Sequence, residues 1–259
     1  MGKFEGILIC SDFDGTFANA SVISEKNAEA VRHFQREGGL FTLSTGRSHH
    51  HFASYNDIFV PNAPMLCYNG SVMYDPATDT TLYEGHMEPS IYEDLPTILA
   101  LAPEIVDLTF CGNGKDFHMK AADYAPAKAK EGMPPDQLLK VLTRMESENS
   151  DEVTARVQKA FSDRYGIYRS WYYGIEIQSF KDTKGQGVLR LKHYLGDRVK
   201  TVIACGDYEN DLPMFEVADI SYAPSSAHPG VKARATRITV ACHEDAIAQV
   251  IADLDREIS

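Results

Sequence analysis

The chain lacks any long hydrophobic run: nothing in its 259 residues approaches the roughly 20 consecutive apolar residues needed to cross a bilayer. No apolar stretch follows the charged N-terminal residue in the manner of a secretory leader. Membrane-spanning and exported proteins are thereby set aside, and the cytoplasm is the expected compartment. Basic residues are scarce, 25 Lys and Arg against 37 Asp and Glu, for a formal charge of −12. A general nucleic-acid binder needs clustered cations that release counterions from the phosphate backbone, so that class is set aside too. If phosphate is bound, it has to be held locally, by a few placed donors and a divalent cation. The five cysteines are odd in number and form no CxxC pair, which argues against a disulfide framework and a zinc or redox pair; they read as reduced core thiols. There is no internal repeat, low-complexity segment or long charge run. What is present, 44% apolar and 24% charged residues, describes an ordinary globular chain with enough length for an α/β core and a smaller second domain.

The apolar runs are strand-like rather than alternating. "GILIC" reads as a buried strand, "SEKNAEAVRHFQREGG" as a helix with a Ser cap and a Gly-Gly stop, and "LFTLSTGR" as a second strand. This βαβ pattern predicts a parallel sheet covered on both faces. "APMLCYNGSVMYD" predicts a hairpin turning at Asn69-Gly70. After Leu82 the texture changes: "PEIVDLTFCGNGKDFHM" and "YAPAKAKEGMPPDQ" read as turn-rich, "LLKVLTR" as a strand, "SDEVTARVQKAFSDRYG" as a helix, and "IYRSWYYGIEIQSF" as antiparallel strands. The α/β texture resumes with "KGQGVLRLKHYLGD" as a helix and "VKTVIACGD" as a strand, and it ends in the helix "EDAIAQVIADLDREI". The expected architecture is a doubly wound, Rossmann-like parallel-sheet core formed by residues 1–82 and 182–259, interrupted by an inserted α+β domain over 83–181.

Ligands of open parallel sheets bind beyond the carboxyl ends of the strands. Asp12 and Asp14 follow "ILIC", Thr45 follows "LFTLS" and Asp207 follows "TVIAC", so all are expected on one rim. Four carboxylates there (Asp12, Asp14, Asp207, Asp211) repel unless a cation holds them, and oxygen-only ligands favour a hard ion such as Mg²⁺. Asp12 suits a nucleophile that attacks a phosphoryl group. Asp14 suits a general acid for the leaving alcohol and then a base for water. Lys184, opening a helix in "DTKGQG", is placed to meet both the phosphoryl group and the nucleophile. Thr45 and the amides of the Asp14-Gly15 turn are donors for phosphoryl oxygens. Each residue also has an ordinary reading. Asp-Gly is a good turn by itself, a lone lysine is most often a solvated charge, and "GDYENDL" also describes a turn followed by a helix cap. The histidines of "SHHHF" point in different directions on any regular element, and read as the start of a surface helix rather than a metal site.

Taken in order, "DFDGTF", "STGR", "DTKG" and "GDYENDLPMF" resemble the four motifs of the haloacid dehalogenase superfamily of phosphotransferases. The insertion between the second and third resembles the type-two (IIB) cap of the Cof-like sugar-phosphatase branch, and "YNGSVMYD" fits that branch as well. The resemblance implies Asp12 as nucleophile, Asp14 as acid/base and Lys184 as charge clamp. It implies Mg²⁺ held by Asp12, the backbone carbonyl of Asp14, and Asp207, with Asp211 close by. Thr45 is the implied phosphate ligand, with Ser44 a lesser candidate, and Gly15, Thr16, Gly46 and Gly70 lie beside it. Asn210 is expected to approach the phosphate or orient the metal shell. Arg47 and Asn69 are expected to help hold the substrate, Arg47 being equally suited to a surface ion pair. The chain departs from the branch at "SYAPSSAHPG", where relatives often place a Gly-Asn-Ala turn; that contact passes to Ser225 or Ser226, or is absent.

The cap is expected to exclude water and to carry specificity. Trp171, Tyr173 and Glu176 are candidates for its substrate-facing side, against the alternative that this aromatic strand packs on its own helix. The implied activity is that of a Mg²⁺-dependent phosphatase of small phosphorylated metabolites, sugar phosphates first, working through an aspartyl-phosphate as a monomer or small homo-oligomer. Two alternatives stand beside it. A phosphosugar mutase of the same superfamily would return the phosphoryl group to the sugar, and a phosphate-accepting signalling module would leave the inserted domain unexplained.

Overall fold

In the computed structural model, which describes residues 2–146, 150–171 and 173–258, the apolar run Ile7–Ser11 forms β1 and a loop leads from it to α1 (Glu25–Arg36) and β2 (Leu40–Leu43). α1 begins where the Ser24 hydroxyl accepts the Asn27 N–H at 3.1 Å, and it is followed by Gly38 at a φ of +88°, a conformation that favours glycine. Ala28, Val31 and Phe34 form its buried stripe. Buried Asn27 donates to the Phe17 carbonyl and accepts from the Ala248 N–H, which ties α1 to the loop after β1 and to the C-terminal helix. β3 (Met65–Cys67), β4 (Val72–Asp75) and β5 (Thr80–Glu84) make a small antiparallel sheet. The turn between β3 and β4 holds Tyr68 and Asn69 at left-handed φ values of 50° and 56°.

The next segment folds as a unit of its own, Gly85–Thr183. It contains α2 (Ile91–Leu101), β6 (Ile105–Gly112), β7 (Lys115–Lys120), α3 (Pro126–Gly132), β8 (Lys140–Met145), α4 (Ser150–Phe161), β9 (Tyr165–Trp171) and β10 (Gly174–Ser179). The five strands form one antiparallel sheet in the order β7-β6-β8-β10-β9. Apolar residues of α2 and α4 share its core with Leu108, Phe110, Val141 and Ile177. Two turn-rich readings are corrected here. "PEIVDLTFCGNGKDFHM" is the β6–β7 hairpin, whose Asn-Gly turn is real but whose flanks alternate between buried Leu108 and Phe110 and more exposed Asp107 and Thr109. "YAPAKAKEGMPPDQ" contains α3, started by Pro126. α2 has no counterpart in the sequence reading, since Pro96 interrupts its helical pattern.

The first unit resumes at Lys184 with α5 (Lys184–Leu195), β11 (Thr201–Cys205), α6 (Leu212–Val217), β12 (Ile220–Pro224), α7 (Pro229–Lys232), β13 (Arg237–Thr239) and α8 (Ala246–Glu257). Its main sheet is all-parallel, β13-β12-β11-β1-β2, as expected for a doubly wound α/β fold. Leu8 and Cys10 of β1 pack with Val188, Leu191 and Met214 of α5 and α6, while α1 and α8 pack together. Burial leaves the cysteines chemically quiet: all five are free and buried, and the Cys10 thiol is pushed up to about 12. Among the described residues no helix is long and apolar enough to cross a membrane.

Register decides where the site lies. Ser11 stands opposite Leu43 on one side and Cys205 on the other, so β2, β1 and β11 end level. The chain steps from β1 outward to β2, then returns to lay β11, β12 and β13 on β1's other side. The crevice of this switch point lies beyond Ser11, Leu43 and Cys205.

Candidate active site

Asp12 leaves β1 with its N–H still bonded to the Cys205 carbonyl at 2.8 Å, so its side chain is fixed at the strand end. Its Oδ1 accepts from the Lys184 ammonium at 2.5 Å, and the same ammonium reaches Asp211 Oδ1 at 2.6 Å. Lys184 is fully buried and is the first residue of α5, where the helix dipole disfavours a cation. Burial alone would push its pKa down, but the Asp12 and Asp211 carboxylates outweigh that and hold it above the ordinary lysine value. A fully buried ammonium held by two carboxylates at a strand end marks a candidate functional site.

Carboxylate oxygens of Asp12, Asp207 and Asp211 lie within 4.8 Å of one another. Burial raises the Asp12 pKa well above the usual range, and the neighbouring Asp211 and Asp207 charges raise it further against the pull of Lys184. Burial and the Asp211 charge likewise carry Asp207 up to about 7, with Thr16 and Lys184 opposing. One ammonium therefore does not neutralise the group. An all-oxygen donor set with surplus negative charge fits a hard divalent cation. The oxygens of Asp211 are already engaged, Oδ1 by Lys184 and Oδ2 by the N–H groups of Asp207 and Tyr208 at 2.8 and 3.0 Å. Asp211 thus shapes the turn that presents Asp207 and anchors the lysine.

The loop after β1 comes very close to Asp207. Thr16 Oγ1 donates to Asp207 Oδ1 at 3.0 Å, and a Cβ at Gly15 would stand 2.3 Å from Asp207 Oδ2. Gly15 also holds a φ of +82°. Gly15→Ala is expected to lower the melting temperature, with ~1–2 kcal/mol coming from the left-handed backbone alone. A variant melting like the parent would show that the loop and Asp207 have room to separate.

Thr45 is buried beyond β2, its N–H bonded to the Leu66 carbonyl and its hydroxyl accepting from the Arg47 N–H at 3.1 Å. Beside it the Ser44 hydroxyl is buried and meets no hydrogen-bond partner among the described residues. The Asn69 N–H returns to the Thr45 carbonyl at 2.8 Å, and Asn210 Nδ2 donates to Asn69 Oδ1 at 3.2 Å, which links the turn after β3 to the turn after β11. Gly46 lies in the turn after Thr45, and Gly70 offers its carbonyl to Arg190 at 3.0 Å. Asp14 stands apart from this group. Its carboxylate is 49% exposed and paired with Arg47. The partners of that arginine, Ser21 and His51, carry no signal in the sequence.

Other expected residues have more local duties. Ser226 Oγ accepts from the Cys242 N–H at 3.1 Å, and the Ser225 N–H bonds the Thr239 carbonyl at 3.0 Å. Ser48 caps a short 3₁₀ turn, His49–Tyr55, in which His49 stacks on Tyr74 at 4.1 Å and His51 turns to Arg47. In the inserted unit Trp171 and Tyr173 are partly exposed, but Glu176 is not. It is buried in an ion pair with Lys140 at 3.0 Å, which corrects its reading as a substrate-facing residue.

The sequence matches the profile of the haloacid dehalogenase-like hydrolases over residues 9–251. The chain belongs to that family. Among curated relatives it is similar to the 5-amino-6-(5-phospho-D-ribitylamino)uracil phosphatase of Bacillus subtilis, 24% identical over 260 residues that cover 94% of this chain and 96% of the relative. Among solved structures it resembles a haloacid dehalogenase-like hydrolase from B. subtilis, with a TM-score of 0.79 at 20% identity over 95% of this chain and 98% of the other. It also resembles a sugar phosphatase of haloacid dehalogenase subclass IIB, with a TM-score of 0.76 at 17% identity over 97% and 99%. Those two likenesses show that this haloacid dehalogenase-like chain has the same α/β core with an inserted second domain.

Proposed function

We propose that this chain hydrolyses small phosphorylated metabolites, sugar phosphates first, by passing the phosphoryl group to Asp12 and then to water. That it is a phosphoric monoester hydrolase rests on its family membership and on relatives named as phosphatases. The finer reading is carried by one observation: a fully buried lysine clamped between Asp12 and Asp211 at the end of β1. Asp12 attacks phosphorus through a carboxylate oxygen, and the ester oxygen leaves with a proton supplied by Asp14. Asp14 then takes a proton from water as that water displaces phosphate from Asp12. Lys184 holds the nucleophile in place and offsets the charge of the incoming phosphoryl oxygens. Thr45 orients those oxygens together with the Asp14-Gly15 turn, whose Gly15 N–H is itself taken by the Ala18 carbonyl at 2.9 Å, and Thr16, Ser44, Gly46, Asn69, Gly70 and Asn210 are assigned the surrounding positions. Mg²⁺ is the expected cofactor; Asp12, the Asp14 carbonyl and Asp207 would hold it, and when bound it neutralises charge on the phosphoryl group. Residues 85–183 are assigned the choice of leaving group. The protein is expected to work in the cytoplasm as a monomer or small homo-oligomer.

The test is phosphate release from a panel of phosphorylated sugars, nucleotides and cofactors. Release from none of them, or isomer formation without free phosphate, would overturn the reading, the second outcome in favour of a mutase. A second measurement addresses the metal. EDTA is expected to abolish release and Mg²⁺ to restore it, with less Mg²⁺ needed as pH rises from 6 to 8. The sign follows from Asp207, which keeps its proton up to about 7 and has to lose it to ligate. In EDTA the same raised value makes the folded state hold a proton that the unfolded chain loses near pH 4. Stability of the metal-free protein is therefore expected to fall as pH rises from about 4 to 7. Full activity in EDTA, or a Mg²⁺ requirement independent of pH, would count against ligation by Asp207.

A further inference from the structure

Arg47 gathers four groups, and of these the chemistry above uses Asp14 alone. Its Nε and Nη2 donate to the two oxygens of Asp14 at 2.6 and 2.5 Å, Nη2 donates also to Ser21 Oγ at 2.9 Å, Nη1 meets the His51 ring, and the guanidinium carbon lies 5.3 Å over the ring of Phe13. Ser21 sits in a tight turn, Asn19–Val22, closed by reciprocal backbone bonds of 3.0 and 2.9 Å. Both central residues, Ala20 and Ser21, are left-handed without being glycine, at φ values of 47° and 64°. Such backbone persists only where its surroundings over-determine it. Here Arg47 holds the Ser21 side chain, and the Tyr55 hydroxyl donates to the Ser21 carbonyl at 2.8 Å. The turn, the arginine and the Asp14 carboxylate form one braced assembly within the first unit.

We propose that Arg47 is a positioning residue for proton transfer, setting where the Asp14 carboxyl stands against the leaving oxygen by gripping that carboxyl and the Ser21 turn together. This rests on the phosphatase reading. A planar two-pronged contact fixes both the place and the plane of a carboxyl group, which a lysine's point charge cannot do. The step it serves is balanced: the Asp14 proton goes to the bridging ester oxygen as its bond to phosphorus breaks, and that phosphorus forms its new bond to an Asp12 oxygen. In this first half-reaction a residue acting through Asp14 matters when the leaving oxygen needs a proton, whereas the later attack of water, where Asp14 is the base, is common to every ester. A residue that helps hold the substrate, the role implied by the family resemblance, matters equally for both esters where its contact is to the phosphoryl group they share.

The two roles separate on two probes, glucose 6-phosphate, whose alkoxide is a poor leaving group, and p-nitrophenyl phosphate, whose phenolate leaves without a proton. Arg47→Ala is expected to lower kcat/KM, which reports the first half-reaction, about 100-fold or more for the alkyl ester and less than about 10-fold for the aryl ester, the range of general-acid catalysis. Arg47→Lys should recover only part of the loss, and added guanidinium ion should restore alkyl turnover to the alanine variant. In an Asp14→Asn background Arg47→Ala should cause no further loss on the alkyl ester, since the two act as one unit. Ser21→Ala removes one hydroxyl from the brace and should shift the alkyl-to-aryl ratio the same way to a smaller degree, which keeps the test available if the arginine variants fold poorly. Equal losses of kcat/KM on both esters, or a rise in KM at constant kcat on both, would overturn the positioning role alone. A parent protein that releases phosphate from neither ester would overturn the phosphatase reading and this inference with it.

Discussion

Asp12→Asn is expected to reduce phosphate release by at least about 10⁴-fold while the protein stays folded, the scale seen when an enzyme's nucleophile is removed. The amide has nearly the shape of the carboxylate and can still accept from Lys184, so the contact at 2.5 Å need not be lost. It is a far weaker nucleophile, and the covalent intermediate cannot form on it. Stability is expected to move the other way. Burial and the charges of Asp211 and Asp207 disfavour ionised Asp12, so a neutral side chain there relieves repulsion. The metal-free variant should therefore melt at or above the parent temperature at pH 8, where the parent cluster carries its greatest charge. Phosphate release and thermal melting on one preparation check both halves. Appreciable turnover by the variant would sink the assignment of Asp12 as nucleophile, whatever its melting behaviour.

Lys184→Met carries the other large effect, on stability and activity together. The ammonium is fully buried between Asp12 and Asp211, and its removal leaves buried carboxylates without the cation that pairs them. Breaking a buried ion pair by removing one partner typically costs 3–5 kcal/mol, about as much as many domains have to lose. The loss should deepen as pH rises, because Asp12 and Asp207, both displaced upward, then have to ionise without compensation. It should be partly repaired in Lys184→Met, Asp211→Asn, since the second change removes a charge the first left unpaired. Turnover should be lost in both. Melting curves at pH 5 and pH 8 distinguish this account from a simple packing defect, which would lower stability equally at the two values.

Much of this site was legible because parallel strands announce themselves. Ile7–Ser11, Leu40–Leu43 and Thr201–Cys205 are short runs whose residues are nearly all buried, and the first polar residues after them have to emerge at the sheet edge. That local rule placed Asp12, Thr45 and Asp207 on one rim before any contact was known. Alternation was a weaker guide. In β6 and β7 the turn residues around Gly112–Gly114 outweigh the period-two pattern of their flanks, so the hairpin's sequence has the look of a run of turns. Pro96 hid α2 in the same way.

The sequence by itself determined the parallel core, the order of its motifs and the rim on which the carboxylates gather, because these follow from local burial patterns and from strand ends. Tertiary structure alone decided which charges meet. Arg47 grips Asp14 across 33 residues of chain, Lys184 bridges Asp12 and Asp211, and Glu176 is paired inside its sheet with Lys140. Periodicity assigns a residue to a face or an end, but a partner is chosen by register and by where loops converge. Those are set by the packing of distant segments rather than by any neighbour in the chain.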